Sequence, residues 1–288
     1  MIARAGPRDL EEAHKHCAAL AREHAHDEWL GSLYAGPRER EALLTLAAFD
    51  FEIRRARFRA RNANLAALRL SWWRGVIAGE RDEEAAGSPV ALALRAAMED
   101  FALPSALLEA MLDGQLTELM PDAPFNLAEF QRFAEESEGA RLRLATRIAA
   151  GGRDLYDANA SGAAGMAFAV RRLIATLPSK AGRAPILFPA DVAERHGARI
   201  ADFEVRHATG GILAACAEML ALARDSLAEA ERRLNACPQD VLPAFAPLGA
   251  LSLVLDRLEQ NAARPFEPAR EISPIRRQWT IWRWARRR

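Results

Sequence analysis

The sequence predicts an all-α protein, and three observations carry that prediction. Apolar residues recur at i, i+3, i+4 and i+7 through most of the 288 residues, the period of a helix with one buried face. Short runs of alternating β-branched residues never recur at regular spacing, so strand signals are scarce. Alanine is abundant, and almost all positive charge is arginine, with lysine only at Lys15 and Lys180. Both alanine and arginine are good helix formers.

Breaks at Gly, Pro and Asn divide the chain into helices. The first is expected at about 8–34, and Pro37 then suits the first turn of a helix at about 37–60, where a missing N–H costs nothing. A helix at about 63–79 ends on Gly79, and one at about 88–102 follows Gly87. Pro104 opens the next at about 104–119, and Gly151-Gly152 close one at about 126–150. Further helices are expected at about 153–177, 190–195, 199–235 and 240–261, with a short last one at about 274–286. Polar punctuation falls at about 80–88, 120–126 and 178–188. With no fixed repeat and no low-complexity linker, residues 1–288 are expected to form a single domain carrying a basic, tryptophan-rich terminal helix at about 274–288. The small residues Gly162 to Ala167 imply a close neighbour, which is either another helix or a ligand in a cavity.

Charge and cysteine usage narrow the function classes. Lys+Arg and Asp+Glu are both 39, so a polyanion binder working through overall charge is excluded and no nucleic-acid partner is expected. Cys17, Cys216 and Cys237 are few and far apart; they suggest neither a disulfide framework nor a zinc site. The N-terminus is charged throughout with no apolar core, and no uninterrupted apolar run reaches the ~18–20 residues of a membrane span. A cytoplasmic protein is the expectation, with peripheral contact at the inner membrane left open. His14, His16, Cys17, His24, His26 and Asp27 look metal-like in one dimension, but i, i+2 pairs on a helix point apart, so no metal site is expected there. No P-loop, GxGxxG, GxSxG or HExxH motif is present.

Several blocks, in order, resemble the squalene/phytoene synthase family. They are Asp27 to Tyr34 followed by Pro37, Leu43 through Ala48-Phe49, and Arg69-Leu70-Ser71-Trp72-Trp73-Arg74. Ser88-Pro89-Val90 is similar to that family's HPV, and Asp113-Gly114 before Glu118-Leu119 to a weakened GMxxDL. Phe188-Pro189-Ala190-Asp191 with His196-Gly197 follows, then Leu255 to Leu258 and Arg276 to Trp279. The resemblance implies a class I isoprenoid synthase fold, a helical bundle around a central cavity.

In that family, head-to-head prenyl transfer begins with ionisation of an allylic diphosphate, helped by Mg²⁺ held between two acidic helices. Counting on from Ala48-Phe49, the first acidic motif would fall on Arg54, Arg55, Phe58 and Arg59; counting from Gly165, the second would fall on Arg172 and Thr176. None is acidic. A guanidinium ~5 Å from a divalent ion, at an effective dielectric of about 20, is repelled by about 7 kcal/mol. The sequence therefore argues for no catalytic residues, no metal ligands and no cofactor. The alternative kept open is an active, Mg²⁺-dependent prenyltransferase making a phytoene- or squalene-like product. Ala48-Phe49-Asp50-Phe51-Glu52 is similar to the AFNxE of a non-catalytic branch that includes a mitochondrial assembly factor of respiratory complex I. That resemblance implies an accessory role, with a respiratory-complex subunit or assembly intermediate as partner.

Two further expectations rest on arginine. The pairs Arg54-Arg55 and Arg171-Arg172 at the former metal positions could bind a prenyl diphosphate or anionic lipid without metal, or could be ordinary salt-bridged residues. The tail carries Arg276, Arg277 and Arg283 with Trp279, Trp282 and Trp284 and no acid after Glu271, a composition suited to an anionic membrane surface or to a helix packed back on the bundle.

Overall fold

Capping chemistry and buried periodic faces together set the helices of this protein. The computed structural model describes residues 7–59, 63–119, 125–155, 158–180 and 186–287. Residues 120–124 and 181–185 of the polar breaks, and Arg288 of the tail, lie outside the described residues. Among those described, all regular structure is helical.

The order is α1 (Pro7–His24), α2 (His26–Ser32), α3 (Pro37–Arg59), α4 (Ala63–Ala78), α5 (Asp82–Ala86), α6 (Pro89–Asp100) and α7 (Ser105–Leu119). Then come α8 (Leu127–Ala134), a π turn (Glu135–Gly139), α9 (Ala140–Ala149), α10 (Ala158–Lys180), α11 (Ala190–Arg195) and α12 (Ile200–Glu204). The chain ends with α13 (Gly210–Leu234), a 3₁₀ turn (Gln239–Val241), α14 (Leu242–Phe245), α15 (Leu248–Gln260) and α16 (Pro274–Arg286). Proline stands in the first turn of α6 and α16, Asn126 and Glu129 form a reciprocal capping box on α8, and Thr209 caps α13.

The long helices α3, α10 and α13 lie at the centre: α10 runs along α13, while α3 packs on α1, α6 and α9. Their inward faces join one hydrophobic cluster that includes Phe49, Ile53, Leu94, Leu108, Leu112, Phe130, Ile148, Val170, Met219 and Leu255. Helix α16 folds back on α15 and α2. Gly249 makes that return close, because a Cβ there would sit 2.8 Å from the Ile281 Cα and 3.0 Å from the Thr280 oxygen.

Four expected helices are subdivided. The expected 8–34 helix breaks at Ala25, whose backbone leaves the helical region although nothing in its residue type marks a stop. The 199–235 helix breaks at Arg206, with φ of +56°, and restarts at Gly210-Gly211. Gly211 is required there, since a Cβ would fall 2.4 Å from the His196 carbonyl. The 126–150 helix carries the π turn, and Pro243 and Pro247 divide 240–261 into short pieces. The segment 239–260 is long and apolar enough to cross a membrane, but most of it is buried inside the bundle, as befits core helices.

Candidate functional site

A buried network of charged side chains occupies the middle of the bundle. It starts on α3, where the Arg54 Nε donates to Asp50 Oδ2 at 2.7 Å, one helical turn earlier. The Arg54 Nη2 donates across the bundle to Glu138 Oε1 at 2.9 Å. Glu138 stands on the π turn, where one wider turn re-aims the carboxylate between α3, α9 and α10. Arg141 donates to its other oxygen at 3.1 Å and lies 3.7 Å from Glu28. From α10, Arg172 sits 3.5 Å from Glu138 and 2.9 Å from Glu118 on α7, and Lys180 donates to Glu118 at 2.7 Å.

Four carboxylates (Glu28, Asp50, Glu118, Glu138) thus face four cations (Arg54, Arg141, Arg172, Lys180). The Glu138 and Glu118 side chains are only 6% and 3% exposed, so these charges interact with little screening. Burial pushes the Glu138 carboxyl up, but Arg54 and Arg141 together outweigh burial and lower its pKa from 4.5 to about 2. Burial works against the Arg54 charge as well, and Asp50 and Glu138 more than restore it.

This donor set does not fit Mg²⁺. Magnesium wants oxygen ligands with negative charge to spare, and each carboxylate here already neutralises a guanidinium or ammonium. Among the described residues, no group of three or more His, Cys, Asp or Glu is placed to hold a metal ion.

The arginine pairs expected to act together diverge. Arg54 and Arg172 meet through Glu138 in the network. Arg55 instead pairs with Glu52 at 2.9 Å, lies over the Phe51 ring, and faces a cleft of about 350 Å³ lined by His16, Arg69, Trp72 and Ser88. Arg171 faces a different cleft of about 230 Å³, between α10, α13, α15 and the 261–272 connection. Side chains of Phe58 and Arg59 lie outside the described set.

The terminal helix also divides its residues. Trp284 is buried, and its Nε1 donates to Glu231 at 3.2 Å. Arg277 grips Asp27 with two nitrogens, Nε at 2.9 Å and Nη2. Trp279 and Trp282 stack with ring centroids 4.7 Å apart, and Arg276 and Arg283 are exposed. The metal-like histidines disperse: His14 lies against Glu41, His24 stacks on Phe51 and His26 on Trp29. Burial pushes the Cys216 thiol up to about 12 and Cys17 up to about 11, which suits packing and not nucleophilic attack.

Glu28, Glu138, Arg141 and Lys180 were not anticipated as members of the site. Glu118 carried a signal as part of the Asp113-Gly114…Glu118-Leu119 block, yet nothing local paired it with Arg172.

The bundle defines a class: its architecture is that of the all-α isoprenoid synthase fold. It is similar to squalene synthase HpnC from Alicyclobacillus acidocaldarius, with TM-score 0.73, 18% identity, and coverage of 91% of this chain and 98% of that one. It is also similar to a dehydrosqualene synthase solved with ligand, with TM-score 0.82, 13% identity and coverage of 97% of both chains. A family model, squalene/phytoene synthase, matches residues 7–283, and the chain belongs to that family. Among curated relatives it is 22% identical over 269 residues to "NADH dehydrogenase (ubiquinone) complex I, assembly factor 6" of Mus musculus, covering 93% of this chain and 80% of the relative. The protein of the same name from Homo sapiens is 22% identical over 254 residues, with coverage of 88% and 76%.

Proposed function

We propose that this protein is a catalytically degenerate member of its family that serves as an accessory factor in the assembly of a respiratory NADH dehydrogenase. One observation carries the reading: the charges that a diphosphate-ionising site would direct at metal are here spent on one another. Arg54 and Arg172 stand at the motif positions, and Glu138 and Glu118 are tied to them. The relatives named as complex I assembly factors support the partner class. With labelled farnesyl or geranylgeranyl diphosphate and Mg²⁺, the purified protein is expected to release no pyrophosphate above a protein-free control. Cells lacking it are expected to show a several-fold loss of assembled NADH dehydrogenase on native gels, restored by the intact chain. Turnover in the first experiment, or full assembly in the second, overturns the reading.

A second reading, metal-free binding of an anionic amphiphile such as a prenyl diphosphate, is favoured by the Arg171 cleft. Ile174, Leu220, Val254 and Leu258 form its apolar part, Arg171, Arg257 and Arg270 its cationic part, and the Arg257 Nε is buried without a hydrogen-bond partner. Calorimetry in EDTA is expected to detect farnesyl diphosphate, with Arg171→Ala weakening it about tenfold, the scale of one lost charge-assisted contact. Affinity no tighter than about millimolar, which is under ~4 kcal/mol of binding energy, removes the idea.

A further inference from the structure

Four of the seven large apolar side chains exposed among the described residues lie together: Ile275 at 79%, Trp279 at 54%, and Leu33 and Tyr34 at 43% each. They border a shallow groove of about 300 Å³ between the end of α2 and the outer side of α16, with Leu30, Ile281 and Trp282 beneath. This exceeds what isolated surface leucines require, and contiguous exposed apolar surface marks an interaction site. Beside it on α16 stand Arg276, Arg283, Arg286 and Arg287, all exposed, and no acid follows Glu271. At about 100° per residue, Ile275, Trp279 and Trp282 occupy one stripe of the helix, Arg286 continues that stripe at the C-terminal end, and Arg276 and Arg283 stand on the stripe beside it. Arg286 lies 4.8 Å from the Trp282 ring centroid.

We propose that this α2–α16 face docks on an anionic membrane surface, with Ile275 and Trp279 entering the headgroup layer and the arginines pairing with lipid phosphates. Charge selects this occupant. A second copy of the chain would bring the same arginines against themselves, whereas an anionic leaflet answers them all. The inward half of α16 supports the arrangement: buried Ile281 and Trp284 and the Arg277–Asp27 pair lock the helix to the bundle, so its outer stripe is presented without a folding step. Leu33 and Tyr34, 241 or more positions away from Ile275 in the chain, complete the patch only in the folded protein.

The test is co-sedimentation of the full chain with phosphatidylcholine vesicles, with and without about 30 mol% phosphatidylglycerol, a charge density near that of a cytoplasmic leaflet. Binding is expected only to the anionic vesicles. The double variants Ile275→Ser/Trp279→Ser and Arg283→Glu/Arg286→Glu should each lower partitioning about tenfold or more, with thermal melts matching the parent. No pelleting with anionic vesicles overturns the proposal, as does equal pelleting of parent and both variants. A dimer in sedimentation equilibrium that Trp279→Ser abolishes, without vesicle binding, assigns the face to a second copy instead.

Discussion

Replacing Glu138 by glutamine is expected to lower the stability of this protein by about 3 kcal/mol, as removing one member of a buried ion network does. The side chain is 6% exposed and faces Arg54, Arg141 and Arg172, so the neutral amide keeps the shape but leaves three guanidiniums without their shared countercharge. For a chain of this size each kcal/mol moves Tm by roughly 2–4 °C, so a thermal melt should fall by about 6–12 °C. Glu229 supplies the contrast: it also touches two arginines, Arg232 and Arg233, but on the surface. Glu229→Gln should leave the melt unchanged. Equal melts for the parent and Glu138→Gln would show that the network contributes nothing.

The same carboxylate makes a pH prediction with a definite sign. Its pKa is lowered on folding from 4.5 to about 2, so the unfolded chain binds the proton first as pH falls. Its contribution is present in full above pH 4.5 and is lost as pH drops toward 2. Urea midpoints measured across that window should fall less steeply for Glu138→Gln than for the parent.

How much of this was legible in the sequence depends on distance along the chain. Helix identity was legible because periodicity and punctuation such as Pro37, Pro104 and Gly79 are local, while the Thr209 cap inside an expected continuous helix was passed over. The break at Ala25 was not, because no glycine or proline marks it, and the π turn at 135–139 reads as ordinary helix. Arg54 and Arg172 were found by counting along motifs, but the carboxylates they meet across the bundle lie far off: Glu138 is 84 residues from Arg54, and Glu118 is 54 from Arg172. Arg54-Arg55 and Arg171-Arg172 each divide between two environments for a geometric reason. Neighbours on a helix point about 100° apart, so each pair is split between two environments. On α16 the composition exposed the tryptophans, while burial of Trp284 and recruitment of Tyr34 depend on how the helix docks.

Gly165 is expected to be a position where a single added methyl group destabilises the bundle. An added Cβ there would lie 2.6 Å from the Gly139 nitrogen, 2.9 Å from the Gly139 Cα and 3.2 Å from the Glu138 carbonyl carbon, all backbone atoms of the π turn. No rotamer relieves such a contact; α10 or the π turn must move. Gly165→Ala should therefore cost about 2 kcal/mol, the overpacking penalty less the helix propensity that alanine returns. Gly162, one turn earlier, has nothing within 4 Å of its Cβ position, so Gly162→Ala should be neutral or stabilising by up to about 1 kcal/mol. The small-residue segment is thus a close helix contact at Gly165, and that contact sets where Glu138 sits. If so, the two sites are coupled: once Gly165→Ala has displaced the π turn, Glu138→Gln has less left to lose. The double variant should be more stable than the summed single effects predict by more than about 0.5 kcal/mol, the limit of ordinary additivity. Strict additivity in denaturant titrations would mean that the glycine contact and the charge network are independent, and that the π turn is held by something else.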